Sequence, residues 1–336
     1  MARRLGKAAV PHRHPRIGLV LGAGGMLGAA WMAGALVALQ ERLPVPVGEV
    51  ELIVGTSAGS VVAAALRCGV AVEEIAEHQR GGSLTALPDL SELDRDSGPL
   101  PPLPRLRLGS PRLLASTARA PHRVHPWVAA SSLIPPGRAR HDSLTSLVQG
   151  LLPPDPTRPE RTWPRRGETW IMAVDYDSGR RVAFGRSHAP AATLPDAVVA
   201  SCSIPGWYEP KTIDGRRYVD GGVRSSTSLD LLARVPLDQV YVLAPMASFT
   251  MDGPRNPYAR LERVVRRVMT AALVREMRKV RATGVRVSML MPGPEDLAAI
   301  GPNMMDPARR QQVLETSLRT APHALAAMDQ RQQRAA

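Results

Sequence analysis

Residues 17–40 form a run of 24 residues without a formal charge, preceded by a basic segment. A chain carrying such a run has two ways to satisfy it. One is a signal or membrane-spanning helix, which takes about 20 apolar residues; Gly24-x-x-x-Gly28 would then serve as a helix-packing motif. The other splits the run into a buried strand over 16–21, a turn at Gly22-Ala23-Gly24-Gly25 and a helix over 26–41. Three glycines within four residues are poor helix formers. They are what a strand-to-helix turn needs for close backbone approach, and a helix from Met26 would stop ahead of Pro44 as expected. We adopt the split reading. It constrains everything downstream, because a strand that hands over to a helix in so few residues belongs to an α/β unit.

The alternation continues. Residues 51–54 read as a second buried strand, and Gly55-Thr56-Ser57-Ala58-Gly59 turns it into a helix ending near Arg67. A short helix follows over 72–79. Residues 81–140 are Pro- and Arg-rich, with weak periodicity over 113–118 and 127–133, and read as an insertion or cap. A helix resumes over 142–151 with Asp142 as its N-cap. Strands are expected over 169–174 and 181–184, then a helix over 194–201 with Pro195 in its first turn. Asp214-Gly215 between two short apolar runs is a two-residue hairpin signal. A buried strand over 239–243 precedes a long amphipathic helix with Leu261, Val264, Val265, Val268 and Ala272 on one face, which we assign to the core. A last strand over 285–290 and a helix over 307–330 complete the chain. The fold class expected is α/β, three layers α/β/α around a mostly parallel sheet. The organisation expected is a basic tail over 1–15 and one domain over 16–336, its C-terminal segment helical over 255–333.

Three motifs carry chemistry. Gly55-x-Ser57-x-Gly59 sits between a strand and a helix, the context of a nucleophile elbow, where a sharp turn lifts a serine hydroxyl above the sheet. The bland alternative is an N-cap serine in a glycine-flanked turn. Gly22-Ala23-Gly24-Gly25 exposes backbone N–H groups able to bind an oxyanion. A dinucleotide fingerprint fails there, because the third glycine falls one residue late at Gly28 and no acidic residue ends the second strand. Asp220-Gly221-Gly222 follows the hairpin already closed by Asp214-Gly215, which leaves Asp220 at the exit of a strand, where functional groups gather in parallel sheets.

In this order the motifs resemble those of the patatin-like phospholipase family, over about residues 16–245 less the 81–165 stretch. The segment Ala200-Ser201-Cys202-Ser203-Ile204-Pro205-Gly206 resembles the family's sequence ahead of its Asp-Gly-Gly motif. The resemblance implies a Ser–Asp dyad without histidine. Ser57 corresponds to the nucleophile and Asp220 to its partner. Gly24, Gly25 and Met26 fall in the oxyanion loop, supported by Gly22, Gly55, Gly59, Gly221 and Gly222. It implies an acyl-ester or lipid substrate and neither a cofactor nor a metal. Two positions depart from the pattern. Leu27 stands where the family usually has Arg or Lys, and Val223-Arg224-Ser225-Ser226-Thr227 lacks the asparagine that often follows the aspartate motif, so a Ser or Thr hydroxyl would have to replace its contact.

A conventional Ser–His–acid hydrolase needs a late histidine, and only His188 and His323 lie beyond residue 141. No histidine spacing suggests a metal site. Cys68 and Cys202 cannot make a disulfide framework, which points to a reduced compartment. Aromatic residues are 4% of the chain, so its core must be aliphatic. The net charge is +13, with arginine supplying 40 of 43 basic residues; that skew is the kind a GC-rich coding background leaves. Position matters more. Basic groups concentrate over 1–16, 97–141 and 255–281. Without a zinc spacing or an aromatic RNA-binding signature, nucleic acid is disfavoured. A non-catalytic, membrane-associated scaffold stays open, as does transient contact with an anionic membrane through Arg260, Arg263 and Arg267. Signal cleavage after Ala33-Gly34-Ala35 would delete the glycine loop. The expectation is therefore a cytoplasmic enzyme, peripheral on membrane at most.

Overall fold

The computed structural model describes residues 15–82, 107–152 and 163–335, and side chains up to residue 330. The basic tail and the 83–106 part of the expected insertion lie outside the described residues.

The uncharged run divides as its glycines require. β1 (Ile17–Leu21) is buried at every position, and α1 (Gly25–Gln40) follows after three residues. β2 (Leu52–Thr56) leads into α2 (Ala58–Arg67), and α3 (Val72–Gln79) packs nearby. The expected insertion contributes α4 (Pro111–Arg119) and α5 (Pro126–Ser131), and α6 (Asp142–Leu151) follows it and packs into the main core. The N-cap of α6 is His141 rather than Asp142, which instead places its carboxylate in the first turn, favourable to the helix dipole. β3 (Glu168–Asp175) and β4 (Arg181–Phe184) precede α7 (Leu194–Cys202). β5 (Lys211–Ile213) and β6 (Arg216–Asp220) form the expected hairpin; Asp214 and Gly215 both have positive φ, as a type I′ turn demands. β7 (Gln239–Leu243), α8 (Pro257–Arg281), β8 (Arg286–Leu290), α9 (Pro294–Ile300) and α10 (Arg310–Ala335) follow. The short α9 has no counterpart in the sequence reading.

The strand order is β5-β6-β3-β2-β1-β7-β8, with β4 also on β3. β3, β2, β1, β7 and β8 are parallel neighbours, and β4, β5 and β6 are antiparallel. Alternation along β1 divides the core into two. Ile17, Leu19 and Leu21 join the layer containing α1, α2 and α10, while Val20 packs with Leu229, Leu232 and the α8 residues Leu273 and Val280 on the other face. That is the three-layer α/β/α arrangement the alternation predicted.

One feature of the register positions the site. β4 pairs residues Ile171–Val174 of β3, so it fills one edge; β2 pairs Glu168–Met172 and β6 pairs Ala173–Asp175. Their overlap with β4 forces β2 and β6 onto the same remaining edge, end to end. Because β2 is parallel to β3 and β6 antiparallel, their C-terminal ends meet. Thr56 and Asp220 lie opposite successive β3 residues, Met172 and Ala173.

The long helix α8 reverses one expectation. Its apolar stripe faces outward: Leu261, Val264, Val265 and Val268 are exposed, while Arg263 and Arg266 are buried. Arg263 donates to Asp252, Glu262 and the carbonyls of Leu297 and Gly301; Arg266 donates to Glu262 and the Pro245 carbonyl. With their donors paired, these guanidinium groups tolerate burial. Rotating the helix to bury its valines would strand the same carboxylates and carbonyls.

Candidate active site

Three loops leave adjacent strands at one end of the sheet. Ser57 follows β2 with φ 52° and ψ −124°, a left-handed conformation rare outside glycine. Hydrogen bonds hold the turn. The Ser57 N–H donates to Ser201 Oγ at 2.8 Å, and Ser201 Oγ donates to the Met172 carbonyl at 2.6 Å. Ser60 returns its amide and its hydroxyl to the Ser57 carbonyl, at 2.7 and 2.6 Å. A glycine is required beside it. A Cβ at Gly59 would stand 2.0 Å from the Leu21 carbonyl oxygen, so only glycine lets α2 start this close to β1.

Asp220 ends β6 opposite the elbow, as the shared edge of β3 dictates. Its carboxylate accepts hydrogen bonds from Ser57 and, at 2.6 Å, from the Gly222 N–H. Its own N–H donates to the Ser203 carbonyl at 3.0 Å. Ser57 and Asp220 are each 5% exposed. Burial pushes the Asp220 carboxyl up from its ordinary 3.8 to about 6, partly offset by the Ser57 and Gly222 hydrogen bonds. The fold thus brings together the serine and the aspartate singled out in the sequence.

The glycine loop lies beside them. The amides of Gly22 and Ala23 donate to the Leu243 and Ser226 carbonyls, and those of Leu27 and Gly28 to the Met304 and Gly24 carbonyls. Helix first-turn amides have no partner inside their own helix. No acceptor takes the amides of Gly24, Gly25 and Met26 among the described residues, and Gly25 and Met26 line the same cavity as Ser57. Gly25 has φ +58°, and a Cβ there would crowd Met305 and the Met304 carbonyl. Leu27 is wholly buried and points into the core.

The cavity over Ser57 measures about 150 Å³. Ala29, Val61, Leu144, Leu147 and Ile204 make its wall apolar; His78, His141 and Arg310 add polar groups. Neither His188 nor His323 lines it, and both are exposed. Among the described residues no cluster of His, Cys, Asp and Glu is arranged to hold a metal ion, and no helix is long and apolar enough to cross a membrane.

Sequence reasoning missed several supporting residues. Ser201 anchors the elbow from α7. Glu276 of α8, buried and raised by that burial, accepts from Ser225 Oγ at 2.6 Å, Thr227 Oγ1 at 2.9 Å and the Leu229 N–H at 2.9 Å. The hydroxyls of Ser225 and Thr227 are therefore spent on Glu276, which holds the loop whose Ser226 carbonyl receives the Ala23 amide. Ser201 lay within the quoted pre-motif segment; Glu276 gave no signal beyond being one of two acids in a basic helix. Arg310, 8% exposed, brings a cation to the cavity wall from α10, far along the chain from the glycine loop.

A family model described as patatin-like phospholipase matches residues 19–233. No curated protein matches the chain. Among solved structures, VipD from Legionella pneumophila is 13% identical at a TM-score of 0.45, the alignment covering 94% of this chain and 67% of VipD. The type III effector protein ExoU is 15% identical at a TM-score of 0.36, covering 94% of this chain and 53% of ExoU. ExoU in its heterodimeric complex with SpcU from the type III secretion system of Pseudomonas aeruginosa is 19% identical at a TM-score of 0.33, covering 91% and 52%. The chain spans about half the length of the ExoU chains it matches.

Proposed function

On the premise that the chain belongs to the patatin-like phospholipase family, whose chemistry is lipid acyl hydrolysis, we propose that it cleaves acyl esters through Ser57 and Asp220 by way of an acyl-enzyme. The observation that carries the reading is a serine held in a sharp strand-to-helix turn on the wall of an apolar cavity, its side chain acting on the buried Asp220 carboxylate.

The steps follow from the geometry. Ser57 Oγ attacks the ester carbonyl carbon as its proton passes to Asp220. The carbonyl oxygen becomes an oxyanion, held by the amides of Gly24, Gly25 and Met26 at the positive end of α1. Each such donor is worth about 3 kcal/mol to a transition state of this kind. The tetrahedral centre collapses, and the leaving alcohol takes the proton from Asp220. Water then gives a proton to Asp220 and attacks the acyl-enzyme, releasing the fatty acid and restoring Ser57. An ordinary aspartate, with a pKa of about 3.9, is too weak a base for a hydroxyl near neutral pH. Burial corrects this, since a carboxyl held near 6 is ionised at pH 7 and closer to the pH at which it must work. The apolar wall suits an acyl chain. Residues 16–336 are proposed to act as one hydrolase unit, because β7, β8 and α10, past the family match, complete the same sheet and cover α1.

The test is turnover of a short-chain soluble ester. Ser57→Ala should abolish it, and Asp220→Asn should lower kcat by about 10³-fold. His78→Ala and His141→Ala should stay within about threefold of wild type, since neither imidazole has a step in the reaction. A histidine variant as inactive as Ser57→Ala would replace the dyad with a conventional triad. Wild-type kcat/KM should rise with pH through about 6, where Asp220 is half ionised, and level off about a unit higher.

A further inference from the structure

The outward face of α8 is the least expected surface of the molecule. Leu261 is 63% exposed and Val264 51%, with Val265, Val268 and Tyr258 beside them and Phe249 next to the helix. At helical spacing Leu261, Val264, Val265 and Val268 make one ridge over about two turns. An apolar ridge of this kind on a soluble surface marks a contact site. We propose that this face docks the protein on an anionic phospholipid bilayer, the apolar ridge entering the headgroup–acyl boundary and the flanking arginines meeting lipid phosphates.

Charge selects this occupant. Arg260 and Arg267 share the flank of the ridge with Ala271 and Arg278, and Arg275 lies in line with it. All four arginines are exposed and none has a carboxylate within ion-pair distance among the described residues. The two acids of the helix are withdrawn from this face. Glu262 is paired to Arg263 and Arg266, and Glu276 is buried under the Ser225–Leu229 loop. An apolar ridge with a cationic border and no exposed acid is the pattern of a helix lying in a bilayer interface. It differs from the face first expected from sequence in one respect, because Arg263 points inward and takes no part.

The orientation is locked. Arg263 and Arg266, on the opposite side of the helix, bind the carbonyls of Leu297, Gly301 and Pro245, so the ridge cannot roll into the core without stranding buried charges. The position also serves the chemistry. Pro245 packs against Gly24, Met304 accepts the Leu27 amide, and Met305 is part of the cavity wall. Thus the inward side of α8's N-terminal half braces the segments that flank the glycine loop and the cavity, while its ridge is left free to meet a bilayer. The inference goes beyond the hydrolytic reading, and its test keeps the two apart.

The experiment is co-sedimentation with vesicles of phosphatidylcholine alone or mixed with phosphatidylglycerol, on a Ser57→Ala background so that the vesicles stay intact. The parent should bind mixed vesicles and release with salt. Leu261→Ser/Val264→Ser/Val268→Ser should bind at least about tenfold more weakly, and Arg260→Ser/Arg267→Ser should lose about fivefold per arginine on mixed vesicles only. With Ser57 restored, both sets should keep wild-type turnover of the soluble ester and wild-type melting, which separates failure of docking from failure of the dyad. Unchanged vesicle binding in the apolar triple variant overturns the proposal. So does a parent that ignores mixed vesicles, or a parent that sediments as a dimer which the triple variant splits, because a second copy would then cover the face.

Discussion

Two neighbouring strands, β1 and β7, each deliver the chain to a long helix, and the two helices meet water in opposite ways. α1 carries no charge and is buried on nearly every side between the sheet, α3 and α10. α8 is densely basic, yet in its N-terminal half Arg263 and Arg266 lie inside while Leu261, Val264, Val265 and Val268 lie outside. The comparison teaches that an apolar stripe alone does not decide which side of a helix goes in. In α1 nothing competes with burial of hydrocarbon. In α8 the alternative is set by partners: Asp252, Glu262 and the carbonyls of Pro245, Leu297 and Gly301 need donors, and leaving them unmet costs more than exposing a few aliphatic side chains.

Substitutions can break that contrast, beginning with the largest effect. Arg266→Ala should destabilise the protein by about 3–5 kcal/mol in urea unfolding, because it strips a wholly buried ion from Glu262 and the Pro245 carbonyl. An effect below 1 kcal/mol would mean that the inward arginines do not orient α8. Leu36→Ala, in the buried middle of α1, should cost about 2–4 kcal/mol. Leu261→Ala, the same chemical change on α8, should stay within about 0.5 kcal/mol in the same measurement. Equal costs for the two leucines would contradict the outward ridge.

Asp220 sharpens the comparison from the other side, as a buried carboxyl whose ionisation costs stability. Its pKa in the folded protein, about 6, lies above the ordinary 3.8, so the folded state binds that proton more tightly than the unfolded chain does. The stabilisation this gives is complete below about pH 4 and is lost as pH rises through about 6. Asp220→Asn removes the ionising group. The variant should therefore be more stable than wild type at pH 8, by up to about 3 kcal/mol, and the gap should close by pH 4. Thermal melts across that range check it; a variant less stable than wild type at pH 8 would mean that ionised Asp220 is better solvated than its burial implies.

The parts of this architecture that rest on local chemistry were legible in the sequence. Gly22–Gly25 cuts the uncharged run because no helix interior tolerates three glycines so close together, and Asp214-Gly215 closes its hairpin through backbone conformations open to few other pairs. Ser57 and Asp220 stood out because each follows a strand in a glycine-rich turn. What brings them together was not legible. The division of one β3 edge between β2 and β6 brings together two strands more than 100 residues apart in the chain, through their separate pairings with β3. The orientation of α8 was misjudged for a related reason: its periodicity defines a face, but the partners that claim the opposite face, Asp252 and the Leu297 and Gly301 carbonyls, come from other segments. Glu276 and Arg310 likewise reach the site only through tertiary structure. Leu27, where the family usually carries a cation, is filled by hydrocarbon packing, while the cavity receives its cation from Arg310 on another helix.

The most direct test of the central claim is labelling of the wild-type protein with a fluorophosphonate probe, followed by mapping of the modified residue by mass spectrometry. Ser57 is predicted to carry the adduct, with labelling absent in Ser57→Ala and slowed by orders of magnitude in folded Asp220→Asn. An adduct on any other residue, or labelling that proceeds at the wild-type rate in Asp220→Asn, would contradict the Ser57–Asp220 dyad.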